Sequence, residues 1–127
     1  MEQLTHLEIS PEWVGEPLDL TPGRAVVKLP TRPEMKTDHM GLVHGGFTFG
    51  LADYAAMLAV NEPNVVLGGV EAKFLAPVRL GETMIAEAHV REKEGKRFLV
   101  QCTVSTERKV FEGTFTCFSL PRHVLES

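Results

Sequence analysis

The chain has 127 residues, 43% hydrophobic and 24% charged, which suits one globular domain with a single core. A formal net charge of -4, with no basic run longer than "EKEGKR", argues against a nucleic-acid surface. No apolar run approaches the roughly 18 residues of a membrane span, and the start "MEQLTHLEIS" lacks the apolar stretch of an export signal. Cys102 and Cys117 fall in strand-like segments without metal-ligand spacing, as reduced core residues of a cytoplasmic protein would.

Residues 1–15 read only as a short helix or turn around Pro11 and Trp13. "EPLDLTPGRAVVKLP" gives two strands separated by the Pro-Gly turn at 22–23. "TRPEMKTDHMGLVHGG" has no periodicity and forms a long loop of the kind that carries function. A helix follows from about Gly46 to Val60 and stops at "NEPN". Phe47, Leu51, Tyr54, Ala55 and Leu58 make one apolar stripe on it, and Phe49, Asp53, Ala56 and Val60 run along a neighbouring face. Only strands come after the helix.

"VVLGGVEAKFL" is the first of these strands. "TMIAEAHVRE" alternates Met84, Ala86, Ala88 and Val90 against Ile85, Glu87 and His89. "RFLVQCTVST" does the same with Phe98, Val100, Cys102 and Val104, and "KVFEGTFTCFSL" places Phe111, Phe115 and Cys117 on one side. Period 2 with one apolar face means antiparallel strands under a single covering layer, joined by short breaks at "EKEG" and "TERK". The expected fold is α+β, with five or six antiparallel strands curled around one long central helix in a single domain over 1–127. A second sheet face and bare edges still need cover, which points to an oligomer.

"GLVHGGFTFGLAD", residues 41–53, fits no packing rule. A glycine pair weakens the start of a helix, and a carboxylate on a buried helix costs free energy unless something needs it. Here the residues resemble the hotdog-fold acyl-CoA thioesterases, particularly the phenylacetic-acid and 4-hydroxybenzoyl-CoA thioesterase branch. The likeness covers roughly residues 20–120 and rests on "DHMGLVHGGFTFGLADYAA" and "KFLAPVRLGE". The first is similar to the pattern Asn, two residues, Gly, two residues, His-Gly-Gly, then an acid eight residues beyond the first glycine of the pair.

The resemblance implies that Asp53 is the catalytic acid, acting as general base or as nucleophile on the thioester. It implies that the backbone N–H of Gly45 polarises the carbonyl, with Gly46 beside it, and that His44 shapes the loop or hydrogen-bonds. Asp38 stands where the family commonly has asparagine, and Leu67 where some members place Ser or Thr near the attacking water. Both are departures. Phe47, Phe49, Met57 and Leu67, with Lys73 on the same strand as Leu67, are the expected substrate contacts. No cofactor is implied, and the implied partner is an acyl-CoA.

Thioester hydrolysis needs a base or nucleophile, and donors where the oxyanion develops. A glycine at a helix N-terminus offers unpaired N–H groups at the positive end of the macrodipole. Asp53 lies two turns inside the helix, too deep to be its cap. Eight helical residues rise about 12 Å, so Asp53 and Gly45 of one chain cannot meet at one carbonyl. A two-fold homodimer or homotetramer, with sites at the subunit interface, would bring Gly45 of one chain to Asp53 of the other.

Plainer readings stand beside these. Asp53 could be a carboxylate satisfied at an interface, His44 a loop-holding residue, and Gly45 and Gly46 a way to bring helix and strand close. His39, His44 and Asp38 within one loop, with no fourth ligand, do not suit a metal. Mid-strand burial makes Cys102 a poor nucleophile. From another functional class, residues 71–118 also resemble the effector domain of malonyl-CoA-responsive lipid regulators, which makes a non-catalytic acyl-CoA-binding protein the alternative. The absence of a helix-turn-helix and the presence of Asp53 favour the enzyme.

Overall fold

A computed structural model describes residues 1–126. The elements run α1 (Pro11–Val14), β1 (Glu16–Thr21), β2 (Arg24–Pro30), a 3-10 turn (Pro33–Met35), α2 (Gly45–Val60), β3 (Val65–Phe74), β4 (Thr83–Glu94), β5 (Arg97–Ser105) and β6 (Lys109–Ser119). The strands form one six-stranded antiparallel sheet in the order β1-β2-β4-β5-β6-β3, the upper of the two expected counts. The alternation holds: Met84, Ala86, Ala88, Phe98, Val100, Cys102, Val104, Phe111, Phe115 and Cys117 are all buried toward α2. The helix begins one residue earlier than its sequence pattern suggested, at Gly45.

From Leu51 to Val60 every residue of α2 except Asp53 is buried. Each large apolar side chain taken out of water there stabilises the fold by about 1.5–3 kcal/mol. The sheet wraps most of this helix and the N-terminal arm covers much of the rest, which leaves a narrow strip at Gly46, Gly50 and Asp53 uncovered. At Gly15 the arm presses so close that a Cβ would stand 2.8 Å from the Lys28 carbonyl oxygen and 3.1 Å from Leu51. With φ at +102°, only glycine fits there without strain.

The arm is fastened at the far end of the helix. Asn61 caps α2 in the left-handed region, which asparagine tolerates. Its side chain accepts from the Leu4 N–H at 2.8 Å and donates to the Glu2 carbonyl at 2.8 Å. The Gln3 amide donates to the Tyr54 hydroxyl at 3.2 Å. Asn61→Ala removes both main-chain bonds and leaves alanine in an unfavourable conformation. It is expected to cost about 2–4 kcal/mol. A urea titration measures the loss, and faster amide exchange confined to residues 2–5 and the end of α2 would locate it.

β3 pairs only with β6, so its other edge is open. Val70 and Phe74 on this strand are 40% and 59% exposed. An apolar edge strand left bare invites another chain.

Candidate active site

The site starts with the cap of α2. The N–H of His44 donates to the carbonyl of the buried Met35 at 2.9 Å, which fixes the loop against the core. Its Nδ1 accepts from the Gly46 N–H at 2.8 Å. The imidazole therefore lies across the first turn of the helix. A Cβ on Gly46 would stand 2.8 Å from Nδ1 and 3.0 Å from Cε1, so residue 46 is glycine to admit the ring. The Phe47 N–H donates to the His44 carbonyl at 3.1 Å. Among the described residues, the Gly45 N–H is left without a partner at the positive end of a 16-residue helix.

The Phe74 ring lies beside that donor, with Cε1 only 3.1 Å from where a Cβ on Gly45 would be. A groove of about 400 Å³ opens here, lined by Leu42, Gly45, Thr48, Phe74, Pro77 and Val78 among others. Phe74 is held edge-on by Phe111 at 5.1 Å between ring centroids. Phe111 and Phe115 in turn pack against Phe49 at 6.4 and 5.8 Å. A wall of four phenylalanines thus runs from Gly45 toward the interior.

Asp53 sits two turns along the helix. Its Oδ1 is buried with no hydrogen-bond partner, and burial raises its pKa from the ordinary carboxylate range to about 6. The thiols of Cys102 and Cys117 are pushed up to about 12, by burial first and then by the Asp53 charge. The Asp53 charge is thus within electrostatic reach of β5 and β6. Both cysteines are free and inert as nucleophiles. A carboxylate that keeps its proton to about 6 and whose buried oxygen lacks a donor is poised to take a proton or receive a hydrogen bond from a ligand.

Asp38 is exposed, and its Oδ1 accepts from the N–H groups of Met40 at 3.0 Å and Leu42 at 3.3 Å, a turn that shapes the loop. Phe47 and Phe49 part company, for Phe47 lies against Trp13 at 6.0 Å and edge-on to His44 at 6.2 Å. Met57 is 1% exposed and packs in the core one turn beyond Asp53, so within one chain it offers a ligand no surface. Leu67 is half-buried opposite Cys117, and Lys73 is exposed opposite Glu112, apart from the Gly45 groove. Sequence reasoning missed Phe74, an aromatic at a strand end whose only signal was its place before the "LAP" turn. It also missed Trp13 as a buttress of Phe47, for which no sequence signal existed. Among the described residues, no three His, Cys, Asp or Glu side chains are grouped to hold a metal ion.

A six-stranded antiparallel sheet wrapped around one helix that opens with His-Gly-Gly defines a hotdog-fold protein. Residues 40–111, more than half of the chain, match the Thioesterase superfamily, and the chain belongs to that family. It is 52% identical, over 99% of its length and 98% of the other chain, to the uncharacterized protein PH1136 from Pyrococcus horikoshii, whose crystal structure superposes with a TM-score of 0.98. A mutant of the phenylacetic acid degradation protein PaaI from Thermus thermophilus shares 31% identity over 87% of this chain and 97% of that one, with a TM-score of 0.79.

Two curated relatives are longer than this chain. The methylthioribose-1-phosphate isomerase of Aquifex aeolicus is 52% identical over 91% of this chain, but the match spans only 25% of the isomerase. Transcription factor FapR of Caldanaerobacter subterraneus is 27% identical over 91% of this chain and 58% of its own length.

Proposed function

We propose that the chain is an acyl-CoA thioesterase, hydrolysing the thioester of an acyl- or aryl-CoA to free acid and CoA. The observation that carries this reading is Asp53, a half-buried carboxylate with one buried, unpartnered oxygen and a pKa near 6, on the helix whose first N–H is free. In the general-base form, Asp53 removes a proton from water as the water oxygen bonds to the thioester carbon. The carbonyl electrons move to oxygen, where the Gly45 N–H stabilises the charge. The C–S bond then breaks, and the thiolate leaves as CoA and takes up a proton. In the nucleophile form Asp53 attacks first, and water hydrolyses the resulting anhydride.

The functional unit in this proposal is at least a homodimer. Phe74 at one end of β3 abuts Gly45, while Leu67 near the other end lies opposite Cys117, whose thiol feels Asp53. If the free edge of β3 pairs antiparallel with the same edge of a second copy, the two ends exchange neighbours. Gly45 of one copy then meets the Asp53 region of the other. Gly50 supports this, since a Cβ built on it has nothing within 4 Å although it sits mid-helix. A glycine there sacrifices about 0.5–1 kcal/mol relative to alanine, which is reasonable for a face that a second copy or substrate approaches closely.

No helix of the described residues is long and apolar enough to cross a membrane, and the buried cysteines are unpaired. Both are compatible with the cytoplasm, where we place the activity. The test is a panel of acyl- and aryl-CoA esters assayed for free thiol. Turnover above buffer that saturates with substrate is expected for at least one apolar acyl group. The FapR likeness sustains a second reading, a non-catalytic acyl-CoA-binding protein. Saturable binding without thiol release would establish that reading instead.

A further inference from the structure

We infer that the acyl group this site takes carries a hydroxyl near its thioester, as in a 3-hydroxyacyl-CoA, and that Thr48 selects it. The inference rests on the thioesterase reading and deepens it by naming the class of acyl group. The groove beside Gly45 is walled by Leu42, Val43, Phe74, Pro77 and Val78. These apolar side chains suit an acyl chain better than the amides and phosphates of the CoA arm. The N–H groups of the walls are engaged. Those of Leu75 and Ala76 donate to the Val110 carbonyl at 2.8 and 3.4 Å, and that of Val43 to the Val78 carbonyl at 2.9 Å. Among the described residues that line the groove, Thr48 carries the one polar side chain.

Thr48 is 3% exposed, and its hydroxyl is poorly used. A threonine inside a helix commonly bonds its hydroxyl back to a carbonyl three or four residues earlier. Here the hydroxyl turns away and donates to the thioether of the buried Met84 at 3.3 Å, a weak acceptor. Its lone pairs receive no donor among the described residues. Neither the helix nor the core asks for such a group, since alanine or leucine has the better helix propensity and buries no polar atom. A ligand hydroxyl would supply the missing donor. The soft Met84 side chain can yield if the Thr48 proton turns to the ligand instead. Thr48 lies one turn beyond Gly45 on the same side of α2, where such positions stand about 5–6 Å apart. An acyl chain whose carbonyl oxygen meets the Gly45 N–H therefore reaches the Thr48 hydroxyl within its first few carbons, which places the substituent at about carbon 3.

The test compares 3-hydroxyhexanoyl-CoA, each enantiomer separately, with hexanoyl-CoA, an ester of equal length. Wild type is expected to favour the better hydroxy ester by about 10-fold in kcat/KM, the usual worth of a hydrogen bond to an oriented hydroxyl. Thr48→Val keeps the shape of the side chain and removes the hydroxyl, and should bring that ratio to about one. Thr48→Ser returns a hydroxyl and should restore the preference. A threonine that merely fills space would move both rates together and leave the ratio alone.

A ratio unchanged in Thr48→Val, or a wild type indifferent to the 3-hydroxyl, overturns the inference and leaves the thioesterase reading standing. Equal losses on both esters overturn it too, and assign the Thr48 hydroxyl to an amide of the CoA arm that all substrates share. If neither ester is hydrolysed, titration calorimetry with the same esters reads the ratio as affinities. A wild-type protein that neither hydrolyses nor binds any acyl-CoA ester sinks the thioesterase reading first, and the selection by Thr48 falls with it.

Discussion

Asp53→Asn is expected to cut kcat/KM on any acyl-CoA substrate by about 10²–10⁴-fold, the worth of a positioned base, with secondary structure and oligomeric state unchanged. The amide keeps the shape of the side chain and removes only its basicity. In the wild type the carboxylate form prevails above about pH 6, so kcat/KM should decline as pH falls through about 6 rather than through the ordinary carboxylate range.

The stability effect has the opposite direction. A raised pKa means that the folded protein holds the Asp53 proton more tightly than the unfolded chain does. Ionised Asp53 therefore costs stability, a cost absent at low pH, growing as pH rises toward about 6 and complete above it. Asp53→Asn should be more stable than wild type at pH 8 by up to about 3 kcal/mol, and the two should converge below about pH 4. Paired pH–rate profiles and urea titrations check both directions. Activity within a few-fold of wild type would discard the base and promote the binding reading.

Two dead variants are expected to revive each other. Gly45→Pro removes the N–H of the first helical residue, a position where proline is otherwise welcome, and His44 before it already has the extended ψ of 133° that proline requires. Mixed with Asp53→Asn and refolded, half of the dimers should be mixed ones. Each of these pairs one intact Asp53 with one intact Gly45 across the interface, and leaves the other site doubly dead. Full exchange should restore about a quarter of wild-type activity. Mixed dimers isolated on two tags and found inactive would refute the shared site, whatever became of the single-chain chemistry.

Period-2 alternation made β4, β5 and β6 legible residue by residue, because each strand buries one face on α2. The helix was legible from its length and apolar content, and the spacing of His-Gly-Gly to Asp53 marked the candidate site. What could not be read depends on contacts distant in sequence. Nothing in "VVLGGVEAKFL" says that β3 pairs with β6 and forms an edge. The arm has no period to betray it, since it is held by Asn61 bonding main-chain groups 57 and 59 residues away. Gly46 was placed beside the Gly45 donor, and only the position of the His44 ring reveals that its own N–H is occupied. Met57 looked like a pocket residue because apolar character alone does not say which side of a wrapped helix a residue faces.

The strand order also sets the sequence of events as the chain is made. β3 leaves the ribosome directly after α2, yet its partner β6 emerges only after β4 and β5. The β4–β5–β6 meander can form from local hairpins in the meantime, while β3 waits with both edges bare. Docking of β3 is therefore a late, long-range step, and such steps are slow and prone to wrong partners. A nascent chain stalled before residue 109 would display "VVLGGV" as a sticky apolar strand. The strand proposed to join two finished copies is thus also the one most in need of chaperone cover before the first copy is finished.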